Sequence, residues 1–214
     1  MKQLHIITPV KDSIELTLQT IESILSSDFT VPYHYCVYND FSTDENTVRL
    51  REASEKMGFE LINLSDLTDH PSPNYLLILQ AAQQKAIAAD AGLLIVESDV
   101  IVKKHTLQSL FDGALTRPDC GIAAAVTVDE QENINYPYLY AKGKEGKVFP
   151  EKKHLSFCCS LLTVSFLKAF DFHQLDPEKN WHDVTISHRS LEKGFINYLF
   201  TTLTVWHRPH GSRP

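Results

Sequence analysis

The sequence predicts an α/β domain whose N-terminal half is built on parallel strands, and three observations carry that prediction. Short apolar, β-branched runs at residues 4–8, 33–39, 59–64 and 92–97 alternate with segments of helical spacing. Connections of that length between strands imply βαβ crossovers rather than hairpins. The chain has 214 residues, 43% of them hydrophobic and 22% charged, which suits a single domain with one sizeable core.

Each element has a local reason. Between the first two strands, Ile14, Leu18, Ile21, Ile24 and Leu25 fall on one helical face, with Asp12 or Ser13 placed to cap it. Ser42 or Thr43 opens a second helix with acids in its first turn, and Gly58 stands where that helix should stop. A polar loop, "SDLTDHPSPN", leads into a third helix from Tyr75, and "GLLIVE" is the fourth strand. Beyond residue 100 the pattern loosens. A short helix near 106–114, a strand at 121–128 and a turn-rich stretch to about 160 are expected. Helices around 161–170 and 182–193 and a closing strand at 198–206 complete the reading.

Composition removes several function classes. A formal charge of −7 disfavours nonspecific nucleic-acid binding, which needs Lys and Arg to neutralise phosphates, so no nucleic-acid partner is expected. The first glycine is Gly58, so no Gly-rich phosphate loop can follow the first strand. The N-terminus has no apolar run long enough for a signal peptide, and no segment is long and apolar enough for a membrane span. Four cysteines, two of them adjacent, fit no zinc spacing and are read as reduced, buried small hydrophobes of a cytoplasmic protein.

The chemistry-bearing residues follow from the fold class, because ligands of open α/β sheets bind beyond the C-terminal ends of the strands. Thr8, Pro9, Lys11 and Asp12 follow the first strand; Asn39, Asp40, Ser42 and Asp44 follow the second; Glu97 and Asp99 end the fourth. An acid at a strand end also serves simply to cap the next helix, a reading open for Asp44. In "LLIVESDVIV", two carboxylates at i and i+2 on extended backbone point the same way. Such a pair suits Mg2+ or Mn2+, which takes one or two carboxylates and completes its shell with water and phosphate.

At this point the chain resembles the inverting, nucleotide-sugar-dependent glycosyltransferases with the GT-A fold, family 2 type. "ITPVKDSIELTLQTIESIL" is similar to the family's first strand and helix, and "VYNDFSTDENT" to its second-strand acidic element. Asn74 sits where an Asn opens the third helix, and "LLIVESDV" falls at the D-x-D position. "WHDVTISHR" is similar to the late helix bearing the acid, and "VWHRPHGS" to the closing strand. The resemblance implies a single GT-A-like domain over 1–214, a Rossmann-related, mixed, mostly parallel sheet flanked by helices. Residues 1–100 would form the nucleotide-binding half and 101–214 the acceptor-binding half.

It further implies a divalent-metal-dependent transfer of a sugar from a nucleoside-diphosphate sugar to an acceptor hydroxyl, with inversion. Asp183 would be the base, and Asp99 and His207 metal ligands. Thr8, Pro9 and Asp12 would belong to the nucleotide site, Asp40 would accept from the base, and Glu97 would hold ribose. The acceptor would be a glycan or a lipid-linked group, met with at most peripheral contact at the inner face of the membrane.

The bottom-up chemistry agrees. Inverting transfer needs one base and a stabilised leaving diphosphate. Asp183, in the first turn of its helix, should be held ionised by the helix dipole. The departures from the pattern are E-S-D for D-x-D, His182 for the acid before the base, Asn39 for the first acid of the second element, and Val10-Lys11-Asp12 where an aromatic is usual. Arg189 is expected to pair with an acid on its own helix, Trp181 and Trp206 to wall an acceptor pocket or lie half-buried, and the lysines of 138–154 to decorate a solvated hairpin. Two rivals remain: a catalytically inactive nucleotide-binding scaffold, and a sugar-nucleotide nucleotidyltransferase, whose Gly-rich first loop "ITPVKDS" lacks.

Overall fold

A computed structural model describes residues 1–208. The strands are β1 (Leu4–Val10), β2 (Tyr33–Asn39), β3 (Glu60–Asn63), β4 (Gly92–Val96), β5 (Val100–Val102), β6 (Cys120–Val128), β7 (Val148–Pro150), β8 (Cys159–Leu162) and β9 (Ile196–His207). The helices are α1 (Ile14–Leu25), α2 (Asp44–Met57), α3 (Tyr75–Ala88), α4 (Thr106–Leu115), α5 (Val164–Ala169) and α6 (His182–Glu192). All strands join one sheet in the order β3-β2-β1-β4-β8-β6-β9-β5, with β7 also paired to β9. β1 to β4, β6 and β9 run one way, and β5, β7 and β8 run against them. The expected mixed, mostly parallel sheet is what forms.

The predicted helix ends are set by caps. Thr43 accepts from the Asn46 N–H at the start of α2, and Gly58 closes it at φ 80°, a conformation only glycine adopts without strain. β1 runs two residues longer than expected, through Pro9. Its pairing with β4 stops at Ile7, so the proline ring interrupts no ladder on that side.

Two apolar layers sandwich the sheet. Alternation along β1 sends Leu4, Ile6 and Val10 to the layer shared with α1 and α4, while Ile7 joins α3, α5 and α6 on the other face. In that second layer Gln83 of α3 is fully buried. Its amide donates to the carbonyls of Leu167 and Phe170 and accepts from the Phe172 N–H, tying α3 to the segment after α5.

The structure corrects two expectations. The helix expected at 161–170 is strand β8 followed by the shorter α5. "LLIVESDVIV" is not one strand carrying two acids on extended backbone: β4 ends at Val96, residues 97–99 form a turn, and β5 pairs with β9 at the opposite edge of the sheet. β8 lies between β4 and β6 and makes the sheet continuous. Among the described residues no helix is long and apolar enough to cross a membrane.

Replacing Gln83 by Leu should strand three buried backbone partners and lower unfolding free energy by about 2–4 kcal/mol. Urea denaturation measures this; an unchanged midpoint would show that the α3–α5 link carries no stability.

Candidate active site

The turn at 97–99 has a backbone cause. The Glu97 N–H donates to the Cys158 carbonyl at 3.0 Å, extending the β4–β8 ladder by one rung. The Glu97 carbonyl then accepts from the Val100 N–H at 3.2 Å and the chain leaves the ladder. β9 brings His207 opposite Val100. His207, 2% exposed, places Nε2 3.7 Å from Oδ2 of Asp99. Donor atoms of Glu97, Cys158 and His207 all lie within 4.8 Å of one another, close enough to share one ion.

These side chains face a cleft of about 250 Å³ at the C-terminal edge of β4, walled also by Tyr75, Tyr136, Asn180, His182 and Asp183. Among the described residues that line it there is no Lys or Arg. A second groove, of about 420 Å³, shares Tyr75, Asn180 and His182 and runs along the start of α3.

Burial, reinforced by the neighbouring Asp99 and Asp183 carboxylates, pushes Glu97 up to about 7, opposed by a hydrogen bond donated by the Cys158 thiol at 3.3 Å. Burial and the Glu97 charge raise the Cys158 thiol well above its ordinary value, so it keeps its proton. Asp183 is in the first turn of α6 as expected, but its carboxyl is raised, not held low. Burial there outweighs the Val184 N–H that it accepts at 2.8 Å. Burial lowers His182, so it stays neutral. The Tyr75 hydroxyl is buried without a hydrogen-bond partner and feels both Glu97 and Asp183.

The other expected site residues form a second, separate cluster. Asp12 accepts from the Thr43 N–H and the Asn46 amide, which lower its pKa and clamp the β1–α1 turn to the start of α2. Asp40 is buried and accepts from Ser72 Oγ, the Asn74 N–H and the Asn74 amide, each at 2.8 Å. Asn39 bridges Thr47 and Asn63. Pro9 is half-buried at the end of β1. Thr8 is 0% exposed, its hydroxyl meets Tyr35 Oη at 2.9 Å, and β alternation turns it into the core away from α3.

Arg189 pairs with Glu192 at 2.6 Å, the expected structural role. Trp181 is 70% exposed beside the cleft, and Trp206 is half-buried. Lys142, Lys144, Lys147, Lys152 and Lys153 are all exposed as expected, but the segment is not a hairpin: its strand β7 pairs with β9. His210 and the Gly211-Ser212 step lie outside the described residues.

Sequence reasoning missed Cys158, Tyr75 and Tyr136. Cys158 was taken as a small hydrophobe, and only the unread strand β8 brings it to Glu97. Tyr75 follows the helix-opening Asn74 directly, a position that could have drawn notice.

No protein-family model and no curated protein matches the chain. Solved structures do match its fold. Staphylococcus aureus TarS, residues 1–349, superposes with a TM-score of 0.68 at 16% identity, over 96% of this chain and 60% of that one. A longer TarS structure gives 0.67 at 14% identity, over 96% of this chain and 36% of that one. The mannosyltransferase PcManGT of Pyrobaculum calidifontis, in complex with GDP-Man and Mn2+, gives 0.69 at 12% identity, over 98% and 58%. The chain thus spans at most three fifths of the length of these structures. At these identities the likeness is one of fold: this chain has the GT-A-like architecture of glycosyltransferases.

The raised Glu97 gives a signed pH dependence. A carboxyl at about 7 in the fold and near 4.5 when unfolded favours the folded state below pH 4.5 and loses that contribution as pH rises through 7. The loss is on the order of 3 kcal/mol. In EDTA, Glu97→Gln should therefore gain stability over wild type between pH 5 and pH 8, read as a difference in urea midpoints. Parallel pH profiles would show that Glu97 is not held protonated.

Proposed function

We propose that the chain is an inverting glycosyltransferase that moves a sugar from a nucleoside-diphosphate sugar to an acceptor hydroxyl. One observation carries the reading: on a GT-A-like fold, Glu97, Cys158, His207 and Asp183 line a cleft on the C-terminal edge of the sheet, with Asp99 3.7 Å from His207 and no Lys or Arg among the cleft's described lining residues. The donor set of two carboxylates and an imidazole fits a divalent cation, and the imidazole favours Mn2+ over Mg2+. Asp99 and His207 would hold it, with Glu97 beside them contacting the ribose. When bound, the cation neutralises the charge that grows on the departing diphosphate.

The chain's own groups do the rest. Asp183 takes the acceptor hydroxyl proton as that oxygen attacks the anomeric carbon, and the electron pair of the breaking C–O bond leaves with the β-phosphate. Its raised affinity for a proton makes it a stronger base than a solvated aspartate. The neutral His182 adjoins it without pairing its charge away. The unpartnered Tyr75 hydroxyl is free to donate to a sugar or phosphate oxygen. Trp181 and Tyr136, both largely exposed beside the cleft, offer aromatic faces to an acceptor glycan or lipid-linked sugar. On this reading residues 101–214 supply the acceptor side and the protein works in the cytoplasm. The nucleobase would lie near Pro9 and the remaining acceptor capacity of Asp40, whose lattice with Asn74 also positions Tyr75.

A second reading, nucleotide binding without turnover, draws on the same Asp40, whose carboxylate already accepts three hydrogen bonds, and on the E-S-D and H-D departures.

Calorimetric titration with UDP, GDP and dTDP, in Mn2+ or EDTA, tests the donor site that both readings share, and turnover of the matching nucleotide sugar separates them. One nucleotide should bind only with Mn2+, and Asp99→Ala should weaken it at least tenfold. Absence of binding by all three would overturn the donor site. Asp183→Asn should leave that binding intact and reduce turnover by about 10²–10⁴-fold; equal turnover of wild type and variant would remove Asp183 as the base.

A further inference from the structure

The opposite, N-terminal edge of the sheet carries a cluster that the proposed transfer does not use. β1 and β2 place His5 directly beside His34, and β2 and β3 place Cys36 beside Glu60. Two residues apart on β2, His34 and Cys36 face the same side. The ring nitrogens of His5 and His34 are 3.4 Å apart, and the Cys36 sulfur is 3.5 Å from the same His34 nitrogen. Donor atoms of all three lie within 4.8 Å of one another.

Those spacings match a metal polyhedron. Zinc–nitrogen bonds of about 2.0–2.1 Å and zinc–sulfur bonds of about 2.3 Å give tetrahedral edges of about 3.4 Å between nitrogens and about 3.5 Å between nitrogen and sulfur. As hydrogen bonds the same contacts are poor, since 3.4 Å is long for a nitrogen donor. The other nitrogen of His5 is buried with no partner at all. Burial and the neighbouring His34 hold His5 down at about 4, so its lone pair is not lost to protonation at neutral pH. Glu60 stands next to the trio: Oε2 accepts from the Cys36 thiol at 2.9 Å while Oε1 pairs with Lys85 at 3.1 Å. A cleft of about 430 Å³ beside His5 and His34 gives access from solvent.

We propose that His5, His34 and Cys36 form a second metal site selective for a borderline-soft divalent ion such as Zn2+, with solvent from the adjoining cleft as fourth ligand. Binding removes one proton, the one the Cys36 thiol now donates to Glu60, which passes to solvent as the thiolate takes the metal; neutral His5 and His34 release none. The site would pin the first residues of β1 and β2 together, at the far end of the sheet from the cleft of Glu97 and Asp183.

Co2+ titration tests this, because a thiolate ligand gives cobalt a near-ultraviolet charge-transfer band. The titration is made in a Cys158→Ser background, which removes the thiol at the other cluster. One equivalent of Co2+ should produce the band, Zn2+ should displace it, and adding Cys36→Ser should abolish it. His34→Ala, at a side chain more than half exposed, should weaken Co2+ binding at least tenfold. In the otherwise native chain the same variant should leave Mn2+-dependent nucleotide binding unchanged. A band that survives Cys36→Ser, no band in the Cys158→Ser protein, or unaltered affinity in His34→Ala would each overturn the site. Because His34 is exposed, that last arm holds even if Cys36→Ser fails to fold.

Discussion

The candidate active site rests on one backbone arrangement, the insertion of β8 antiparallel between two strands that run together, β4 and β6. β8 satisfies the inner edges of both. Its ladder with β4 extends just far enough for the Cys158 carbonyl to accept the Glu97 N–H, and no further. With no partner beyond that rung, the chain must turn, and Val100–Val102 finds its hydrogen bonds on β9 instead. The two acids of "LLIVESDVIV" therefore occupy the turn between two separate strands. A buried core strand could not have carried them, since an ionised carboxylate in the apolar layers would lack the partners that offset its desolvation.

β9 completes the arrangement by changing partners along its length. Its first half lies between β6 and β7; after a register shift opposite Ala125 and Val126, its last residues lie between β6 and β5. That exchange delivers His207 to Asp99. Burial, and then the Asp99 and Asp183 charges, raise the affinity of Glu97 for a proton, while burial alone raises that of Asp183.

At the other end of the strands the chemistry differs in kind. The acids of the cleft are oxygen donors gathered by loops and turns, whereas His5, His34 and Cys36 are nitrogen and sulfur donors set by strand register alone. The softer set sits at the other end of the strands from the cleft of Glu97 and Asp183.

The sequence by itself determined the regular half of the fold, because period-2 and period-3.6 patterns, the Thr43 cap and the Gly58 stop are local physics. It also marked Glu97 and Asp99 as candidates, since ends of parallel strands are where such sheets bind ligands, while Asp183 and His207 were candidates only through the resemblance to the glycosyltransferase pattern. It could not separate strand from helix in "SLLTVSFLKAF", an apolar run compatible with either period, and β8 went unread. With β8 went Cys158 and the reason for the turn at Glu97. Nor could it place Thr8 in the core, Asp40 in the Asn74 lattice, or His5 against Cys36. Those depend on register and on which face each strand turns inward, and long-range pairing decides both. The direction of the Asp183 shift was likewise decided by burial, a property of the packed chain that no local helix dipole reveals.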